Sequence, residues 1–150
     1  MPQSYCNLLY HLVFSTKERQ PWLRPELSSD LFPYLGGIIR GLGGVALAIN
    51  GTSDHVHLLV RLRQKSAVED VLRELKASSS GWVHKSRADS ADFGWQNGYG
   101  AFTVSASQVD RVRKYILGQE GHHRRRDFKA EFVGLLDAHG VEYDERYIWA

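Results

Sequence analysis

Residues 54–62 read DHVHLLVRL, a segment in which side chains of different character alternate. In a β-strand, successive side chains point to opposite faces. One face then carries Val56, Leu58, Val60 and Leu62, and the other carries His55, His57, Leu59 and Arg61. The segment is therefore predicted to be a strand with an aliphatic core face and a second face that bears two histidines.

The two histidines stand two residues apart, so both imidazoles project from the same side of the predicted strand. Histidine is a frequent metal ligand, and two rings placed in this way can reach one cation. A bare His-x-His pattern is nevertheless more common among structural histidines. By itself the pair leaves a metal site and a structural role open.

Further strands and helices are predicted on both sides of this segment. Alternation predicts strands at residues 7–15, 45–49 and 101–105. A first helix begins near Pro25 and carries apolar residues at helical spacing, namely Leu27, Leu31, Leu35, Ile38 and Leu42, although Pro33 and Gly36-Gly37 are expected to kink or fray it. A second helix begins at the capping-box spacing of Ser66 and Glu69.

Two more helices follow the last strand. Ser107 is expected to cap one that carries Val109, Val112 and Ile116, and residues 128–136 form the other. The order β-α-β-β-α-β plus two helices predicts an α+β protein, a ferredoxin-like split βαβ. One antiparallel sheet would have helices on one face plus the C-terminal helices. The histidine strand would be central, with its histidines turned away from the packed helices.

Length and composition predict one ordinary domain over residues 1–150. Apolar residues make up 43% of the chain and charged residues 24%, which is typical of a globular protein. We find no apolar run of about 18 residues and no secretory signal pattern. A single cysteine, Cys6, cannot form an internal disulfide. These features lead us to expect a cytoplasmic protein.

Basic residues collect in one region although the net charge is only +2. Between positions 111 and 129 lie Arg111, Arg113, Lys114, Arg124, Arg125, Arg126 and Lys129, together with His122 and His123. Such a patch suits a polyanion. A solvated helix end and loop would explain the same charges equally well.

Tyr115 and Gln119 stand four residues apart on a predicted helix, so they share one side of it. They flank the apolar residues of that helix rather than lying among them. The tyrosine can present its hydroxyl to a partner surface, and the glutamine carbonyl can supply an oxygen ligand. An amphipathic helix with a packed tyrosine and a solvated glutamine explains the pair at least as well when it is taken alone.

The combination of these motifs resembles the HUH single-tyrosine transposases of single-strand insertion sequences. The resemblance extends over nearly the whole chain. Among these relatives, the chain resembles both the REP-associated tyrosine transposases and the stand-alone insertion-sequence enzymes, and its sequence does not separate the two. It rests on residues 10–17 (YHLVFSTK), Asp54-His55-Val56-His57, Trp95-Gln96, Ser105 and Ser107, residues 115–123 (YILGQEGHH), Phe128, Glu131 and residues 140–143 (GVEY). Relatives often have Asn-Gln where this chain has Gly118-Gln119, and a helical glycine there costs about 1 kcal/mol relative to alanine.

The resemblance implies a metal-dependent endonuclease that acts on single-stranded or hairpin DNA. It makes His55, His57 and Gln119 ligands of Mg²⁺ or Mn²⁺, and Tyr115 the nucleophile that forms a 5′-phosphotyrosine. It makes His122 and His123 candidate phosphate contacts. The basic patch adds Arg111, Arg113, Lys114, Arg124, Arg125 and Arg126 as candidate DNA contacts beside them. The resemblance also implies a homodimer in which the tyrosine helix of one subunit can complete the metal site of the other.

Two other functions remain open from the sequence. A domesticated relative that binds hairpin DNA without cutting it would keep the same residues. A rolling-circle replication initiator shares the histidine pair and the tyrosine chemistry, although full-length initiators usually carry more sequence than these 150 residues.

Overall fold

The computed structural model describes residues 3–87, 89–119 and 127–149. The strands are β1 (Leu8–Ser15), β2 (Val45–Gly51), β3 (His55–Leu62) and β4 (Gly100–Thr103), and the helices are α1 (Pro25–Gly41), α2 (Val68–Ser86), α3 (Val109–Leu117) and α4 (Phe128–Ala138). The strands form one antiparallel sheet in the order β2-β3-β1-β4. The predicted α+β, ferredoxin-like arrangement is therefore confirmed, with the histidine strand at the centre.

Helices α1 and α2 cover the aliphatic face of the sheet. Their buried residues pack with the core faces of β1 and β3 in one hydrophobic cluster that includes Leu12, Phe14, Leu58 and Val60. Helix α1 continues through Pro33 without interruption, and its buried residues are Leu27, Leu31, Leu35 and Ile39. This stripe has a spacing of four residues and adds Ile39 to the core, while the expected Ile38 and Leu42 are partly buried and pack against the same cluster. The helix is not interrupted at Pro33 or at Gly36-Gly37, because tertiary packing outweighs the low helical propensity of these residues.

Helices α3 and α4 cover the opposite face. Phe128, Phe132 and Leu136 of α4 pack on Val13 and Phe102, while Ile116 of α3 packs on Ala48 and Leu59. The two apolar clusters flank His55 and His57, which are both fully buried. Within the described part of the chain, we find no helix that is both long and apolar enough to cross a membrane.

Three local expectations differ from the structure. The simple alternation predicted for β2 is wrong, because a bulge between Ala46 and Ala48 turns both Leu47 and Ala48 toward α3. Helix α2 has Ala67 at its N-cap without a side-chain hydrogen bond, so the Ser66–Glu69 capping box does not form. Ser107 lies in a 3-10 turn, Ala106–Gln108, before α3, and its hydroxyl hydrogen-bonds to Ser105.

Candidate metal and nucleophile site

His55 and His57 lie side by side on β3 under α3 and α4. Their ring centroids are 5.1 Å apart, and both side chains are excluded from solvent. The Phe128 ring stacks on His55 at 4.5 Å, so the start of α4 closes the site from above. The preceding turn is tightly constrained, because a Cβ at Gly51 would lie 2.2 Å from the His55 carbonyl oxygen. The strand alternation thus places both imidazoles in one buried pocket, as predicted.

Each imidazole turns its Nδ1 atom away from the pocket and toward a hydrogen-bond partner. His55 Nδ1 lies 2.7 Å from Asp54 Oδ1 and 2.9 Å from the Thr52 hydroxyl. His57 Nδ1 lies 2.7 Å from Nε2 of His11, a buried residue of β1. The Nε2 atoms of His55 and His57 consequently face the same space.

Gln119 enters this space from the segment that follows α3. It is fully buried, and its Oε1 lies 3.1 Å from His55 Nε2. Helix α3 ends at Leu117 with Gly118 as its C-cap, so the glycine marks the helix end instead of interrupting the helix. The glutamine predicted from sequence as an oxygen ligand is thus placed beside the histidine pair.

Glu131 is a fourth polar residue of the pocket, and its role was missed from the sequence. Asp127 caps α4 by accepting a hydrogen bond from the Ala130 amide, and Glu131 then lies on the first turn facing the sheet. Its Oε1 lies 3.0 Å from His57 Nε2 and 3.3 Å from His55 Nε2, and the residue is fully buried. A signal was present: Glu131 shares the apolar face of α4 with Phe128 and Phe132, where a solvated carboxylate is not expected.

Tyr115 reaches the same carboxylate from α3. Its hydroxyl donates a hydrogen bond to Glu131 Oε2, and its ring centroid is 5.9 Å from that of His57. The tyrosine is partly exposed, whereas the groups behind it are buried. One chain therefore brings together Tyr115, His55, His57, Gln119 and Glu131.

Electrostatics in the pocket differ from group to group. Burial alone would lower the pKa of His55, but hydrogen bonds with Asp54 and Glu131 outweigh it and raise that pKa to about 9. Burial, together with the neighbouring His57, lowers the pKa of His11 to about 3. Burial would raise the pKa of Glu131, but hydrogen bonds from His55, His57 and Tyr115 hold it well below its usual range. Glu131 is therefore an anion and His11 is neutral near pH 7.

The arrangement of donor atoms fits a divalent cation. In octahedral coordination with ligands at about 2.1 Å, neighbouring ligand atoms lie roughly 3 Å apart. His55 Nε2 is 3.1 Å from Gln119 Oε1 and 3.3 Å from Glu131 Oε1, and His57 Nε2 is 3.0 Å from the same carboxylate oxygen. His55, His57 and Glu131 offer ligand atoms that all lie within 4.8 Å of one another. The group can hold a metal ion, with Gln119 as an additional oxygen donor.

The predicted DNA-contact residues are only partly covered by the described residues. Arg111, Arg113 and Lys114 are exposed on α3, and the Arg113 guanidinium donates to the Leu47 carbonyl at 3.1 Å. His122, His123, Arg124, Arg125 and Arg126 lie outside the described residues. These exposed cations project from the outer side of α3, and Tyr115 lies on the inner side of the same helix.

Comparison with solved structures identifies similar folds. The chain superimposes on a crystal structure of a transposase from Deinococcus radiodurans R1 with a TM-score of 0.60 at 27% identity, covering 79% of this chain and 96% of that one. It also superimposes on a REP-associated tyrosine transposase bound to a REP hairpin, with a TM-score of 0.60 at 13% identity and coverage of 82% and 73%, respectively. At 13% identity, the similarity to the second structure shows a shared fold only.

Sequence comparison identifies the family. Over 118 residues the chain is 29% identical to the ISDra2 transposase TnpA of Deinococcus radiodurans, covering 75% of this chain and 84% of the relative. The family described as "Transposase IS200 like" matches residues 4–119. That span includes His55, His57, Tyr115 and Gln119 but ends before Glu131. Because the match covers most of its length, the chain belongs to the IS200-like transposase family.

Proposed function

We propose that this transposase is a metal-dependent single-strand DNA endonuclease that cuts and rejoins DNA through Tyr115, acting as one domain over residues 1–150. The observation that carries the proposal is the shared carboxylate of Glu131. One of its oxygens lies beside the Nε2 atoms of both histidines, and the other accepts the hydroxyl hydrogen of Tyr115. A phosphate placed at this pocket would meet the nucleophile and the metal ligands together.

His55, His57 and Gln119 are the proposed metal ligands, and Glu131 joins them on the evidence of its position. Imidazole, amide and carboxylate donors suit Mg²⁺ or Mn²⁺, and two nitrogen ligands make Mn²⁺ the better fit. Bound there, the ion supplies Lewis-acid polarisation of a phosphate oxygen. The negative charge of Glu131 balances part of the charge of the cation in a pocket that excludes water.

Tyr115 is the proposed nucleophile. Tyrosine is a weak nucleophile at its ordinary pKa of about 10, so its hydroxyl needs an acceptor for its proton. Glu131 Oε2 is in place to accept it. The Tyr115 oxygen gives its proton to Glu131 and forms a bond to phosphorus, the bond from phosphorus to the 3′ oxygen breaks, and that oxygen takes up the proton that Tyr115 gave and leaves as a hydroxyl. The product is a 5′-phosphotyrosine, and attack by another 3′-hydroxyl reverses the step and rejoins the strand.

The proposed substrate is single-stranded or hairpin DNA. The structural relative at 13% identity is bound to a REP hairpin, and this supports a hairpin partner for the present chain. The exposed Arg111 and Lys114 of α3 supply positive charge next to Tyr115. The basic segment predicted from residues 122–126 would extend this charge. Basic side chains of this kind bind the phosphate backbone with a strong dependence on salt.

A homodimer is also part of the proposal, but the contacts of Tyr115 support a site completed within each chain. Helix α3 is held on its own sheet by Ile116 packing on Leu59 and by the Asn50 amide, which donates to the Ile116 and Leu117 carbonyls, each at 3.1 Å. A His55→Ala/His57→Ala chain mixed with a Tyr115→Phe chain tests this. Recovered cleavage would show that subunits exchange α3, and its absence in a mixture proven to form heterodimers would support a site within one chain.

The function itself is tested with labelled single-stranded oligonucleotides that cover the DNA on both sides of the gene. With Mn²⁺ or Mg²⁺ we expect a covalent protein–DNA adduct, lost in His55→Ala and in His57→Ala while DNA binding is largely retained. Retention is expected because phosphate contacts dominate affinity. Hairpin binding without any adduct, by a folded and metal-loaded protein, would instead support the non-cutting alternative.

A further inference from the structure

The two histidines of the pocket have the same orientation but different supports. Each directs Nε2 into the pocket and Nδ1 away from it. His55 is supported by a carboxylate, Asp54, that is 26% exposed. His57 is supported by another imidazole, His11, which is only 4% exposed and lies on the neighbouring central strand β1.

A single hydrogen atom must lie between His11 and His57. Their facing nitrogens, Nε2 and Nδ1, are 2.7 Å apart, which is hydrogen-bond distance for one donor and one acceptor. A nitrogen that binds a cation has to offer its lone pair, so a metal-bound His57 keeps its hydrogen on Nδ1. His57 is then the donor, His11 Nε2 is the acceptor, and the hydrogen of His11 is on its Nδ1.

We propose that His11 is a positioning residue of the metal site, which fixes the tautomer and the ring orientation of His57. This rests on the proposed metal-dependent function, in which His57 is a ligand. Partners of this kind orient metal-binding histidines, and their loss commonly costs about 10–100-fold in metal affinity. His11 touches the metal only through His57.

Burial explains why a neutral ring suits this position better than a carboxylate. The pocket already contains the buried anion Glu131, whose Oε1 lies 3.0 Å from His57. A second buried anion behind His57 would have to be desolvated and would be repelled by the first. Asp54 avoids this cost because its side chain keeps contact with solvent. His11 supplies an acceptor without adding charge, and it packs edge-to-face against Phe102 and Tyr115.

The test compares Mn²⁺ binding by wild-type protein, His11→Leu and His11→Gln, measured as free Mn²⁺ by electron paramagnetic resonance. Leucine removes the acceptor at similar volume, whereas the glutamine carbonyl can restore an oxygen near the position of Nε2. We expect Mn²⁺ affinity to fall about 10–100-fold in His11→Leu and to recover to within about threefold in His11→Gln. His84→Leu is the matched control, since His84, on α2, donates a hydrogen bond to the Phe93 carbonyl away from the pocket, and its loss should leave the affinity unchanged.

A second measurement does not depend on any variant remaining folded. In Mg²⁺-saturated wild-type protein, ¹⁵N-detected imidazole spectra should show His57 protonated at Nδ1 and His11 protonated at Nδ1 but not at Nε2. A proton on His11 Nε2 would overturn the proposal. So would unchanged Mn²⁺ affinity in His11→Leu, or equal losses in the leucine and glutamine variants, while the metal function would stand. Absence of Mn²⁺ binding by the wild type would reject the metal function itself.

Discussion

The two faces of the central sheet are buried to a similar degree but filled in different ways. Under α1 and α2, the core-facing residues Leu58 and Val60 of β3 pack in the main hydrophobic cluster. Under α3 and α4, the same strand presents His55 and His57 to Glu131. Both histidines are as inaccessible to solvent as Leu58.

Burying apolar side chains stabilises the fold, whereas burying polar ones costs free energy unless each finds a partner. In the described part of the chain, no buried side-chain nitrogen or oxygen lacks a hydrogen-bond partner. The polar face therefore relies on a connected set of contacts between four segments of the chain. The apolar face stabilises the fold, and the polar face holds the side chains of the candidate site in a fixed arrangement.

Tyr115→Phe, on the polar face, is expected to have the largest effect on DNA cleavage. Packing is nearly unchanged, so the variant should fold, with a free energy of unfolding lower by about 1–3 kcal/mol because buried Glu131 Oε2 loses a hydrogen bond, while the protein–DNA adduct should fall below detection. The adduct is measured by denaturing electrophoresis with labelled single-stranded DNA, and Tyr99→Phe, a partly exposed tyrosine, is the control. An undiminished adduct in Tyr115→Phe would move the nucleophile to another tyrosine.

Adjacent leucines on β3 allow the two faces to be compared directly. Leu58 and Leu59 are both fully buried, but Leu58 faces the main core, whereas Leu59 lies under α3 with Ile116 and Tyr115. We expect Leu58→Ala to reduce the free energy of unfolding by about 4 kcal/mol and Leu59→Ala by about 2 kcal/mol. Leu59→Ala should nevertheless slow adduct formation more, because it loosens the helix that holds Tyr115.

Denaturant unfolding and single-turnover adduct formation, each measured on both variants, check this expectation. Equal slowing of adduct formation by the two variants, after correction for the folded fraction, would show that α3 does not depend on Leu59 for its position.

The polar face should also respond to pH in a way that the apolar face cannot. The pKa of His55 is raised to about 9, so its charged form stabilises the metal-free protein fully below about pH 6.5, and this contribution is lost as pH rises through 9. Metal binding requires that proton to leave, so Mn²⁺ affinity should rise with pH over the same range, by up to about tenfold per unit. Calorimetric titration at pH 6.5, 7.5 and 8.5 measures it. A flat profile would contradict the ion pairing of His55.

The smallest effect is expected on the exposed outer side of α3. Arg111→Gln should weaken binding to single-stranded DNA only a few-fold and should reduce the slope of log affinity against log salt by about 0.7. Fluorescence anisotropy at several salt concentrations measures both quantities, and Lys65→Gln, an exposed lysine on the turn after β3, serves as the charge-matched control. Equal effects of the two substitutions would place the DNA path away from α3.

The sequence by itself determined the order of the elements, the face of β3 that carries the histidines, and the membership of Tyr115 and Gln119 in one motif. Strand alternation and helical spacing are local properties, so they can be read from neighbouring residues. The bulge in β2 and the continuation of α1 through Pro33 could not be read in this way, because packing against other elements decided them.

Only the tertiary structure brought Glu131 to the histidines and His11 behind His57. Glu131 lies 74 positions from His57 in the chain, and His11 lies 46 positions from it. In the sequence, both residues belong to segments that carry the family resemblance, and each is a polar residue within an apolar pattern, but neither observation predicts a contact with His57. Contacts over such separations depend on which strands pair and where a helix docks. Burial explains why these contacts form, since a polar group that is withdrawn from water needs a hydrogen-bond partner, and here the partner comes from a distant part of the chain.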